Sequence, residues 1–159
     1  MHITLETDYA IRIVDYLTRN RSTVGAVEIS EAASVPLRFA KNILQKLTKK
    51  RIINSHKGVY GGYELGRLPE DISLYDVLEA TEGPIVLNRC LFEENRCTYS
   101  LNKQCPYHEI FGQLSIELEN RLRGIKFSSI IYGRRDKKEL MEYRLLKPAS
   151  INVDRKTLS

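Results

Sequence analysis

Cys90, Cys97 and Cys105 are the three cysteines of this 159-residue chain, and His108 follows the last of them. The spacing reads C-x6-C-x7-C-x2-H. Thiolates and an imidazole hold soft or borderline metals, among them zinc, copper(I) and the irons of iron–sulfur clusters. Three thiolates with one imidazole are also a standard structural zinc shell, although such shells usually contain a closely spaced Cys–Cys pair that is missing here. A third possibility is a metal-free thiol sensor, and a fourth is solitary cysteines with no chemical role. An enzyme is not favoured: a thiol oxidoreductase would want C-x-x-C, and no base–nucleophile pair stands at a motif spacing.

The second chemistry is electrostatic. Residues 36–67 hold eight Lys/Arg against Glu64 alone, a local +7, whereas residues 68–120 hold ten acids against three bases, a local −7. The whole chain carries +5. A blandly solvated surface would interleave the signs, so this segregation points to a module facing a polyanion joined to something else. No run is long and apolar enough for a membrane span. The start, Met1 to Asp8, lacks the basic head and apolar stretch of a secretory signal. The expected location is the cytoplasm, where clustered cysteines serve as ligands or redox thiols rather than structural disulfides.

The elements that position these groups follow from periodicity. Residues 4–19 read as a helix with Tyr9, Ile13, Tyr16 and Leu17 on one face, and 28–33 as a short second helix. Pro36 marks the start of a third, running to Lys50. Its apolar stripe is Leu37, Ala40, Leu44 and Leu47, widened by Phe39 and Ile43. Arg38, Lys41, Asn42, Gln45 and Lys49 occupy its other side. Two helices joined by a tight turn, the second presenting Arg, Lys, Asn and Gln outward, form a helix-turn-helix pattern. Arg and Lys suit phosphates and guanine, Asn and Gln suit adenine. Ile52–His56 then reads as a strand paired with Tyr63–Leu65, and Lys57, Gly58, Val59 and Tyr60 lead the glycine-rich turn between them. A basic hairpin directly after such a helix is the wing of a winged helix-turn-helix, so double-stranded DNA is the expected partner.

Beyond the wing, Ser73 is a candidate N-cap for a helix from Leu74 to Ala80 that ends near Glu82-Gly83. Residues 84–88 read as extended or irregular, and 90–105 as a loop. A long helix follows from Tyr107 to Lys126. Its narrow stripe of Phe111, Leu114, Leu118, Leu122 and Ile125 suits self-association into a homodimer. Four segments result: a winged helix-turn-helix domain (1–83), a cysteine-rich loop (84–106), a dimerisation helix with its return segment (107–131) and a basic polar tail (132–159). The fold class is mainly α with a small β wing.

The order TDYAIRI, the helix-turn-helix, the wing KGVYGGYELG, then LPEDISLYDVLEATEG and a three-cysteine loop before a long helix resembles the Rrf2 family of bacterial transcription regulators. The resemblance covers about residues 1–131. It implies a homodimer that binds a palindromic operator, usually as a repressor. In many members three cysteines hold an iron–sulfur cluster whose state switches DNA affinity in response to redox, nitric oxide or iron status. Cys90, Cys97 and Cys105 match those cysteines. His108 stands where IscR-type members place a histidine ligand, and Asp8 where NsrR-type members supply a carboxylate from the other subunit. Arg38, Lys41 and Asn42 match recognition-helix positions, and Lys57 to Tyr60 the wing tip. The cysteine spacing is wider than the five and five typical of IscR-type members, which leaves a two-iron or a four-iron cluster open.

Overall fold

The structure, a computed structural model, describes residues 3–91 and 105–132. Helix α1 spans Leu5–Arg19, α2 Ala26–Ala32 and α3 Leu37–Lys49. Strands β1 (Ile53–His56) and β2 (Gly62–Leu65) follow, then α4 (Leu74–Glu82), a single 3-10 turn at Arg89–Leu91, α5 (Pro106–Gly124) and α6 (Phe127–Tyr132). The expected elements are all present with ends shifted by a residue or two. α2 starts earlier than expected, and α4 extends to Glu82. Pro36 is the N-cap of α3 rather than its first helical residue.

One apolar core serves the first three helices and the wing. Ala10, Ile13 and Val14 of α1, Ile29 of α2, and Ala40, Ile43, Leu44 and Leu47 of α3 have no solvent exposure. These positions recur every three or four residues, so each helix turns one stripe inward. Phe39 departs from the expected stripe: it is 50% exposed, because it lies on the flank of α3 beside α1 rather than on the inward face.

The turns on either side of α3 are built alike. Val35 N–H donates to the Ser30 carbonyl (2.9 Å) and Ser34 N–H to Glu31 (3.1 Å) at the end of α2. At the end of α3, Ile52 N–H donates to Leu47 (3.0 Å) and Arg51 N–H to Thr48 (2.9 Å). Both are Schellman closures, in which a left-handed residue reverses the chain and a following apolar residue packs back on the helix. Glycine usually takes the left-handed position; here Ser34 (φ 53°) and Arg51 (φ 56°) hold it.

The hairpin pairs Ile53 with Leu65, Asn54 with Glu64, Ser55 with Tyr63 and His56 with Gly62. Val24 adds a third rung by exchanging two backbone bonds with Tyr63, at 2.9 and 2.8 Å. Gly62 is required there, since a Cβ would stand 2.6 Å from the Val24 carbonyl oxygen. The wing root is thereby fixed to the segment that enters α2.

α4 begins with a capping box: the Ser73 hydroxyl accepts from Asp76 N–H, and the Asp76 carboxylate accepts from Ser73 N–H at 2.7 Å. α5 stops at Gly124, not Lys126, because Ile125 and Lys126 turn back to α4. The Ile125 carbonyl accepts from Leu74 N–H (2.8 Å), and Phe127 N–H donates to Ile72 (3.0 Å). Phe127 then enters the main core with no exposure.

Candidate DNA interface and thiol site

Arg38, Lys41, Asn42, Gln45 and Lys49 are all exposed along the outer face of α3. Its buried stripe is saturated, so this polar face is free to meet a ligand. At the wing, Lys57, Gly58, Val59 and Tyr60 are exposed, with Val59 at 96% and Tyr60 at 95%. Gly58 takes φ 114°, which a side-chain-bearing residue rarely adopts. A Cβ on Gly61 would collide with the His56 carbonyl. The tip therefore projects a cation and two large side chains that no part of the described chain covers.

Several groups that the periodicity did not single out support this face. Lys46 reaches Glu6 of α1 at 2.7 Å and Lys50, the C-cap of α3, reaches Glu79 of α4 at 3.3 Å, so the helix and its cap are tied to their neighbours. Glu64, the lone acid of the basic segment, accepts from Thr23 Oγ1 (3.0 Å) and lies 2.8 Å from His56 Nε2 across the hairpin. Those bonds, His56 first and Thr23 second, hold the Glu64 carboxyl below the usual range. The only legible signal for them was the alternation of the strands, which put residues 56 and 64 near one another without naming a bond.

Cys105 and His108 stand at the start of α5, and Cys90 stands in the 3-10 turn that packs farther along the same helix. Cys105 is its N-cap, and the His108 N–H donates to the Cys105 carbonyl at 3.0 Å, so both residues share the first turn. Cys105 is partly buried and His108 exposed. Cys90 sits in the 3-10 turn, partly buried and with a free thiol. That turn packs on α5 through Leu91, whose Cδ2 lies 3.6 Å from where a Cβ on Gly112 would stand. The stretch leading to it is fastened by Leu87 N–H donating to Ser115 Oγ at 3.1 Å. Cys97 lies outside the described residues. Among the described residues no three His, Cys, Asp or Glu side chains meet as a metal shell. Asp8 stands in the first turn of α1 and pairs with Arg12 at 2.6 Å, both about half exposed. It is not brought to the cysteines within the described chain.

The stripe expected on α5 divides. Leu118 and Leu122 pack against Tyr75, Leu78 and Ile85 of their own chain, and the Arg123 guanidinium stacks 3.8 Å over the Tyr75 ring. Of the stripe, Leu114 stays open (43% exposed), with Tyr107 (61%) and Ile110 (52%) beside it, while Ile116 (60%) is exposed on the opposite side of the helix. Ile125 leaves the helix as its C-cap. One α5 helix thus serves an intrachain contact and an open apolar face.

A cleft of about 820 Å³ lies behind the wing among Leu17, Arg21, Leu65 and Arg67, with Glu64 and Glu70 on its rim. Its hydroxyls are Thr18, which donates to the Val14 carbonyl at 2.7 Å, and Ser128; neither a histidine nor a cysteine lines it, and Arg67 is engaged with the Asp71 carbonyl and Asp76. No helix among the described residues is long and apolar enough to cross a membrane.

Comparison with known proteins agrees with this arrangement. The family model Rrf2, described as an iron-dependent transcriptional regulator, matches residues 3–133. "Protein aau3" of Rhizobium meliloti is 32% identical over 135 residues, covering 84% of this chain and 87% of its own. The HTH-type transcriptional regulator IscR of Sodalis glossinidius is 26% identical over 133 residues, covering 82% and 79%. Among solved structures, CymR, the global cysteine regulator of B. subtilis, superposes with a TM-score of 0.65 at 18% identity, covering 83% of this chain and 97% of its own. With a basic winged helix-turn-helix, an outward polar α3 and the family match over most of its length, the chain belongs to the Rrf2 family and is a DNA-binding transcription regulator, not an enzyme.

Proposed function

We propose that this regulator acts as a homodimer whose operator affinity is set by an iron–sulfur cluster held by Cys90, Cys97 and Cys105. The observation that carries this reading is the placement of Cys90 and Cys105 on two elements packed together, with His108 in the same turn as Cys105. The positive end of the α5 dipole suits a centre bearing negative charge. His108 and the other subunit's copy of Asp8 are the two candidates for the remaining ligand. Recruiting Asp8 means breaking an exposed pair with Arg12, worth at most about 1 kcal/mol, which a metal bond readily exceeds. A bound cluster would supply a redox- and nitric-oxide-sensitive centre between the DNA-binding half and α5.

Two winged units must place their α3 helices about 34 Å apart, one turn of DNA, on a palindromic operator. Tyr107, Ile110 and Leu114, which share one side of α5, supply the apolar face for such pairing. A change at the cysteines moves the stem of α5 and with it the spacing of the two α3 helices. A typical coupling of about 1–3 kcal/mol corresponds to roughly 5- to 150-fold in affinity. Repression in the cytoplasm is the working mode this reading assigns.

A second reading rests on the free thiols of Cys90 and Cys105: the three cysteines act as metal-free redox thiols. Anaerobic purification separates the two. A visible absorbance with iron and sulfide in stoichiometric amounts supports the cluster, and a colourless zinc-loaded or metal-free protein overturns it. Equal affinity of loaded and unloaded protein for the same operator would sink the switch.

A further inference from the structure

The recognition helix carries one large apolar side chain where a DNA-facing surface has least reason to expose one. Phe39 is 50% exposed in the first turn of α3, with the exposed Asn42 one turn on. Its ring is held. Tyr9 of α1 meets it edge-on, with centroids 6.1 Å apart and planes at 63°, and Arg12 caps Tyr9 at 5.6 Å. Beside it runs a groove of about 570 Å³ lined by Glu6, Phe39, Asn42, Gln45, Lys46 and Lys49. The lining combines an aromatic wall, two carboxamides and two bases, one of them paired with Glu6.

Phe39 and Asn42 stand three residues apart, so their side chains are neighbours on the helix, about 5–6 Å apart at Cβ. In the major groove an A·T pair presents adenine N7 and N6 next to the thymine 5-methyl group. A carboxamide pairs with the first two, and an apolar side chain covers the third. A phenyl ring has no polar atom to offer a phosphate or a guanine. The bases and amides around it suit nucleic acid better than an apolar protein partner.

We propose that Phe39 and Asn42 together read one A·T pair in each operator half-site, Phe39 by covering the thymine methyl and Asn42 by bonding adenine. Tyr9 acts as a positioning residue that fixes the Phe39 ring. This inference rests on α3 being the helix that faces DNA.

The test needs an operator recovered from a random duplex pool with the full-length protein. Each thymine is then replaced by deoxyuridine, symmetrically in both half-sites, which removes only the methyl group. Burying one such group is worth about fourfold in affinity, so at one position the double replacement lowers affinity about 15-fold. Phe39→Ala binds the thymine and uracil duplexes equally at that position. Phe39→Leu retains part of the difference. Replacing the facing adenine by 7-deazaadenine weakens the wild type and leaves Asn42→Ala unaffected. The proposal is overturned if no thymine methyl matters to the wild type, or if Phe39→Ala keeps the full uracil penalty. Because the DNA is altered, that first result does not depend on any variant folding. Lys41→Ala and Arg38→Ala separate the two failures. If they weaken operator binding while uracil does not, only the A·T reading fails; if they too are without effect, α3 is not the DNA-facing helix.

Discussion

The helix-turn-helix half and the cysteine-bearing half of this molecule are built to different standards. In the first, α1 and α3 bury whole stripes: Ile13, Val14, Ile43, Leu44 and Leu47 have essentially no exposure. Backbone closures seal both ends of the turn. In the second, the nineteen-residue α5 buries only Ser115. Its contact with α4 is a small cluster of Tyr75, Leu78 and Ile85 topped by the half-buried Leu118 and Leu122. The first half is held by its own core. The second presents apolar surface and thiols, so its stability is expected to rise with whatever binds there, by mass action.

The largest effect should come from deleting core volume on the two sides. Leu44→Ala removes a side chain with no exposure, and large-to-small changes at such sites cost about 2–5 kcal/mol. Leu118→Ala, half-buried on a small cluster, should cost about 1 kcal/mol by the area it covers. Urea denaturation of both variants checks this. If Leu118→Ala proves as costly as Leu44→Ala, α5 is part of the main folding unit and the contrast fails.

Next in size is the junction between the halves. Asp76 closes the capping box of α4, and its loss as Asp76→Ala should cost about 0.5–2 kcal/mol. Burial opposes its ionisation, but the Ser73 hydroxyl and N–H bonds, with Arg67 and Lys126 nearby, outweigh this and hold its carboxyl below the ordinary range. Glu82 at the other end of α4 is held low as well, by the Thr7 hydroxyl at 2.6 Å and the Thr4 N–H at 2.9 Å. Both shifts are depressions, so the unfolded chain takes up protons first as pH falls. Their stabilisation is complete above about pH 4–5, where free carboxylates are ionised, and is lost as pH drops through the lowered folded values. Melting temperature should therefore fall between pH 5 and 3, and less steeply in Asp76→Asn with Glu82→Gln. An unchanged slope in the double variant would show that other carboxylates dominate acid unfolding.

The contrast also explains what could be read beforehand. The helix-turn-helix, the wing and the α4 cap follow from local patterns, namely stripes, a glycine-rich turn and Ser73 just ahead of Leu74. These are features whose determinants lie within a few residues. Phe39 was misread because an i, i+3 stripe cannot tell a helix's inward face from its flank until the neighbour, Tyr9 of α1, is placed. The α5 stripe had the same difficulty: its periodicity was real, but the return of Ile125 to Leu74 and the burial of Phe127 decide which half of the stripe faces the chain's own core. The three cysteines were legible as a set. Their spacing could not place Cys105 as the cap of α5, nor set Leu91, the neighbour of Cys90, against Gly112 about two turns along that helix.

The smallest predicted effect uses the two left-handed residues that flank α3. Ser34 and Arg51 adopt φ near +55° without the glycine that such positions favour. A side chain in this region costs about 1–2 kcal/mol, and glycine returns part of that gain as extra freedom in the unfolded chain. Ser34→Gly and Arg51→Gly should each stabilise the domain by about 0.5 kcal/mol, raising the urea midpoint without changing the slope. Their effects on DNA should differ. Ser34→Gly changes no charge and should leave operator affinity unaltered. Arg51→Gly removes an exposed base between α3 and the wing, so it should weaken binding and lower the salt dependence by about one phosphate's worth of slope. If both variants bind equally well, the basic surface that contacts DNA stops short of the end of α3, and the interface is confined to its first three turns and the wing tip.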